Sequence, residues 1–121
     1  MYSANIELCK ELYELSGWEG NTLAFGWVDG LIVSMEDRDW KEVAFPAYDL
    51  GFLLRKLETT ELGVSVRYVN QLLGMDMKSW LNKWVAYHPW LKQKDYTYAD
   101  TPEDSICELT IELFKQGLLK S

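Results

Sequence analysis

The residues able to do chemistry are few and scattered. His88 is the single histidine, and Cys9 and Cys107 are the only thiols. One histidine removes every two-histidine metal site. A Cys–His pair, with His88 as base to either thiol, is then the nucleophilic arrangement the chain can offer. Cys107 falls on the apolar face of a well-signalled helix, where an inert thiol is expected. The favoured reading is therefore two structural cysteines and a histidine at a strand end before Pro89. Glu36, Asp37 and Asp39 crowd one segment, but they lack the alternating ligands and the glycine of a calcium loop. Gly17, Gly20, Gly26 and Gly30 match neither a phosphate loop nor a dinucleotide fingerprint. No catalytic residue, cofactor or metal site is assigned.

The richer signal is aromatic. Trp80, Trp84, Tyr87 and Trp90 cluster around His88, within a chain that is 14% aromatic. Trp and Tyr dominate interface hot spots, so these five residues are the interface candidates. Core packing is the competing reading, and it is favoured for the cluster as a whole. Trp90 is the member expected to be exposed, because it follows His88-Pro89 into a turn. Trp80 and Trp84 are expected to share a face, since an offset of four suits both a helix and a strand.

The elements that must position these residues follow from periodicity and punctuation. A first helix is predicted from Ser3 to Leu15, with Ile6, Cys9 and Tyr13 on one face and Leu8, Leu12 and Leu15 widening it. Gly17 ends it in the left-handed position, and Trp18 folds back. Asp29-Gly30 predicts a hairpin over Thr22–Met35, followed by a charged connection from Met35 to Glu42. Pro46 opens a second helix to Leu57, with Leu50, Leu53, Leu54 and Leu57 as its stripe. Gly51 inside it suggests that a neighbouring backbone or ring needs the space. Val64–Val69 reads as a strand, against a competing helix from Ser65 to Leu73. Gln71–Ser79 is a loop or short helical turn, Lys83–His88 a strand, Lys92–Asp95 a turn and Tyr96–Ala99 a short strand. Thr101-Pro102-Glu103-Asp104 starts the last helix with a capping hydroxyl, a proline and two acids. Ile106, Cys107, Thr110, Leu113 and Phe114 form its buried face. Gly117 stops it, and Leu118 packs back on Leu113.

The order α-β-β-α-β-β-β-α predicts one α+β domain over residues 1–121. Its architecture is a small, mostly antiparallel sheet packed by two to three helices, ending in the capped C-terminal helix. The chain's 121 residues suit a single core. It contains no apolar run long enough to span a membrane, and Met1–Glu14 lacks the pattern of a signal peptide. A cytoplasmic protein with unbridged cysteines is expected. The net charge of −7, with no basic block, argues against direct nucleic-acid binding. An acidic surface can instead meet a basic one on a partner.

Three segments carry a resemblance. They are Leu12-Tyr13-Glu14-Leu15-Ser16-Gly17-Trp18, the run from Phe45 through Tyr48-Asp49-Leu50-Gly51-Phe52 to Leu57, and Tyr98-Ala99-Asp100-Thr101-Pro102-Glu103-Asp104 continuing to Glu112-Leu113-Phe114-Lys115-Gln116-Gly117. Together they resemble small uncharacterised proteins of bacteriophages, prophages and gut bacteria. That resemblance brings no activity or site residue with it. An aromatic strand, a turn, a short strand and the Asp100-Thr101-Pro102-Glu103-Asp104 helix start are also similar to the β-β-β-α core of HicB-type antitoxins. Ala99 stands where those have glycine, and the separate DNA-binding segment many of them carry is missing. The lack of recognisable chemistry, the acidity, the aromatic content and these segments together point to a protein-binding or regulatory module of a phage or mobile element, acting on a host or phage protein, and the aromatic surplus makes a homodimer a further expectation. The alternative is a small enzyme or small-ligand binder using a pocket near His88.

Overall fold

Asn5 begins the first helix by accepting a hydrogen bond from the Leu8 N–H at 3.0 Å, so the side chain satisfies an amide that has no partner inside the helix. The computed structural model describes residues 3–18, 25–28, 30–34, 45–57, 64–74 and 76–119. Helix α1 runs Ile6–Ser16 and stops at Gly17 (φ 63°), whose N–H donates to the Tyr13 carbonyl at 2.8 Å. Its buried line is Cys9, Leu12 and Ser16. Ile6 and Tyr13 are only half-buried and Leu15 is exposed, so the apolar face sits about one residue round from the expected one.

Strands β1 (Phe25–Val28) and β2 (Leu31–Ser34) form the expected hairpin. Val28 pairs with Leu31 across a two-residue connection, and Gly30 takes the positive φ that Asp-Gly supplies. The connection from Met35 to Glu42, with Glu36, Asp37 and Asp39, lies outside the described residues.

Pro46 does not open the second helix. It belongs to a two-residue strand, β3 (Phe45–Pro46), paired antiparallel with β1 at the edge of a sheet ordered β2-β1-β3. An edge is where a residue without an N–H is tolerated. Helix α2 is Leu50–Leu57. Its start is set by Asp49, whose carboxylate accepts from the Phe52 N–H at 2.8 Å. Phe52, Leu53 and Leu57 are its buried residues, with Leu50 and Leu54 half-buried. Gly51 is exposed, and among the described residues a side chain there would meet the Arg55 and Asp49 side chains at 3.5 Å, an ordinary contact, so none of them requires the glycine.

The strand reading of 64–69 holds. β4 (Ser65–Val69), β5 (Lys83–Tyr87) and β6 (Thr97–Ala99) form a second antiparallel sheet in that order. Among the described residues the strands divide between two three-stranded sheets, with α2 lying between β3 and β4 in the chain.

Helix α3 (Pro102–Lys115) is the hub. Thr101 caps it by accepting from the Asp104 N–H, with Pro102 in the first turn. Gly117 N–H donates to Phe114 and Leu118 N–H to Leu113, which closes the carbonyl end. Leu119 packs toward the core while Leu118 stays exposed, the reverse of the expected partner. The helix packs against α1, α2 and the second sheet. Contact on three sides explains why Leu109 and Ile111 join Ile106, Cys107, Thr110 and Leu113 in burial, and why Phe114 is left half-buried against Trp18.

One tie between helices has no precedent in the sequence reading. Asp104 stands three residues after Thr101, at capping-box spacing, but its carboxylate turns to the other helix. Its carboxylate accepts from the Asn5 backbone N–H at 2.7 Å and the Asn5 side-chain amide at 3.4 Å. The carboxylate thus lies between the N-termini of α1 and α3, where both helix dipoles favour negative charge.

Candidate functional site

Alternation along β5 divides the aromatic candidates between two faces of the second sheet. Val66 and Ala86 point to the side covered by α3, and Thr97 donates to the Ser105 carbonyl of that helix at 2.7 Å. Trp84 belongs to this side. It is half-buried, with its ring 5.5 Å from that of its cross-strand neighbour Tyr68. Val69, Val85 and Tyr87 point the other way and form a second small core with Trp80 and Leu72. Trp80 and Trp84 therefore lie on opposite faces. The shared-face expectation fails because the segment is not regular: Trp80 ends a 3₁₀ turn, Lys78–Trp80, and Asn82 turns the chain with φ 63° before β5 begins.

Trp80 is core, at 2% exposure. Its ring meets Tyr87 at 6.0 Å and Tyr96 at 6.3 Å, and those two tyrosines meet at 5.1 Å. Among the described residues the buried indole N–H of Trp80 finds no hydrogen-bond partner, so ring contacts hold it in the trio. Arg67 lies 5.4 Å from the Tyr87 ring. Its guanidinium also donates to Asp76 at 2.7 Å, and Asp76 accepts in turn from the Leu73 N–H at 3.1 Å. That pair raises the affinity of Arg67 for its proton and holds the Asp76 carboxyl below its usual range.

His88 is fully buried, at 0% exposure. The Trp90 backbone N–H donates to its Nδ1 at 3.1 Å, and the Trp90 ring stands edge-on at 5.0 Å. Burial lowers its pKa, so the neutral ring is favoured. His88 therefore presents no surface to solvent in this arrangement. Trp90 itself is 38% exposed, as its place in the turn implies.

Both thiols are buried and unbridged. Cys9 donates to the Ala4 carbonyl and Cys107 to the Leu8 carbonyl. Burial raises both pKa values, the opposite of what a nucleophilic thiolate needs. Among the described residues, no group of three or more His, Cys, Asp and Glu is placed to hold a metal ion, and no helix is long and apolar enough to cross a membrane. An open groove of about 590 Å³ runs beside α1, lined by Ile6, Glu7, Lys10, Tyr13, Glu14 and Phe45. None of the five aromatic-cluster candidates is in that lining.

The feature that sequence reading missed is the connection from β4 to β5. Leu72 and Trp80 anchor it inward, while Leu73 (62% exposed), Met77 (40%) and Leu81 (43%) point into solvent. Its signal was present as a run of large apolar residues with neither helical nor strand period. Such residues have no face to share and so no single layer to bury them. No protein-family model, curated protein or solved structure matches the chain.

Proposed function

We propose that the chain is a non-catalytic protein-binding module of phage or mobile-element origin, acting by contact with a host or phage protein. The observation that carries the binding reading is the β4–β5 connection. A loop usually keeps apolar side chains inward or omits them. Here the Arg67–Asp76 bridge, the Asp76 bond to the Leu73 amide and the Trp80 anchor hold the backbone. Beside these ties Leu73, Met77 and Leu81 present three large apolar side chains to solvent. Preorganisation of this kind reduces the ordering cost of association. The phage-like segments motivate the origin. The inaccessibility of His88 and the basic, buried thiols weigh against the enzymatic alternative.

The test is affinity capture from a bacterial lysate with the wild-type chain and with the double variant Leu73→Asp/Leu81→Asp. Both positions are solvent-exposed, so the variant should fold, which near-UV circular dichroism checks. Proteins retained by the wild type and lost by the variant support the reading. Equal capture by both, or no specific capture, overturns it.

A further inference from the structure

We infer that the surface made by the β4–β5 connection and the neighbouring 3₁₀ turn Gln93–Asp95 docks an acidic amphipathic segment of its partner, an inference that rests on the protein-binding reading above. The two turns are brought together by their aromatic ends. Trp80 closes the first, Tyr96 follows the second, and their rings are 6.3 Å apart. Lys78 stands two residues before Trp80 in the connection that exposes Leu73, Met77 and Leu81, and Lys92 and Lys94 stand four and two residues before Tyr96, so the ring contact ties the two lysine-bearing turns to each other. All three lysines are exposed, and none has an ion-pair partner among the described residues.

The charge of this region departs from that of the chain. Residues 64–101 hold five basic and three acidic side chains, in a protein whose net charge is −7. Two of the five bases are already matched, Arg67 by Asp76 and Lys83 by Asp100. The third acid, Asp95, lies on the Gln93–Asp95 turn and accepts from the neutral Gln116 amide, so the three lysines leave a local excess of two positive charges beside exposed aliphatic groups, and the complementary ligand carries carboxylates around an apolar stripe.

Other ligands fit less well. The rings of Trp80, Tyr87 and Tyr96 touch one another, at 5.1 to 6.3 Å between centroids, so they leave no room for a cation between them. Three lysines neutralise too few phosphates for ordinary nucleic-acid affinity, and leucine and methionine side chains offer no stacking platform.

The experiment is a fluorescence anisotropy titration at about 150 mM salt, where charges more than a Debye length away are screened. The probe is a labelled peptide with leucines at helical spacing and glutamates elsewhere. A copy with lysine for every glutamate, and single-stranded oligo-dT, are run in parallel. The expected result is saturable binding of the glutamate peptide, on the order of micromolar. Lys78→Glu/Lys94→Glu should weaken it by about tenfold or more, Leu73→Asp/Leu81→Asp should abolish it, and the lysine peptide should not bind. Equal binding of both peptides, insensitivity to the lysine variant, or tighter binding of oligo-dT overturns the inference. If the lysate capture above depends on Leu73 and Leu81 but is unchanged by the lysine variant, the binding module stands and its acidic partner falls.

Discussion

Glu108 sits on α3 with Asp104 one turn before it and Glu11 of α1 across the helix seam. Burial first, then the charges of Asp104 and Glu11, raise its pKa from the ordinary value of 4.5 to about 7. Lys115 sits near the other end of the seam, where it pairs with Glu11 at 2.9 Å. A carboxyl whose folded pKa is raised binds more protons in the folded state than in the unfolded one. Its contribution to stability is therefore complete below about pH 4.5 and is lost as pH rises through about 7. Glu108→Gln keeps the shape and removes the ionisation. The full shift would correspond to about 3 kcal/mol. A partly exposed carboxyl is screened by solvent, so about 1–2 kcal/mol is expected. The assay is urea unfolding of both proteins from pH 4 to pH 8, reading the difference so that other carboxylates cancel. The variant should match the wild type at pH 4 and exceed its stability increasingly between pH 5 and pH 8. Parallel stability curves, or a variant that loses ground as pH rises, would refute the reasoning.

Two further outcomes follow from the same seam and the core beneath it. Asp104→Ala removes the bond to the Asn5 amide and should cost about 1–3 kcal/mol. The cost should be smaller at pH 8 than at pH 5, because the substitution also relieves repulsion on ionised Glu108; chemical denaturation at both pH values checks this. Cys9 and Cys107, both buried with raised pKa values, should react with a thiol reagent only as fast as the protein opens. Rapid modification of both thiols in native buffer would show that neither is a core group.

The parts of the fold that were legible in the sequence are those specified by local chemistry. The start of α3 is written in Thr101, Pro102 and their neighbours, and its end in Gly117. The β1–β2 hairpin is written in Asp29-Gly30, and β4 in its branched, alternating residues. What was not legible depends on partners distant in sequence. A two-residue strand such as β3 has no period to detect. Proline is compatible with both a helix start and a sheet edge, since either leaves its missing N–H unneeded, and only the pairing of Gly26 with Pro46 decides between them. Asp104 read correctly as a first-turn acid, but its acceptor role toward Asn5 spans 99 positions and no local rule contains it. The site follows the same division. Exposure of Trp90 was readable from its turn, whereas the opposite facing of Trp80 and Trp84 depends on the positive φ of Asn82.

Charge shows the same difference between a chain-wide property and a surface. The −7 net charge is concentrated outside residues 64–101. Glu7, Glu11 and Glu14 on α1, with Glu103, Asp104, Glu108 and Glu112 on α3, face only Lys10 and Lys115 on the same helices. Helix α3 covers one face of the second sheet, and α1 lies against α3. The Trp80–Tyr96 cluster, with its three unmatched lysines nearby, covers the opposite face. Packed layers are roughly 10 Å apart, and the Debye length at physiological ionic strength is about 8 Å. At that ionic strength the helix layer is largely screened from a ligand on the far face, and the lysines set the local sign. In dilute buffer the screening length grows to about 30 Å at 0.01 M, several packed layers, and the same ligand meets the net negative charge. Long-range repulsion and short-range attraction can therefore coexist on this molecule, and its whole-chain charge does not determine the charge preference of one face.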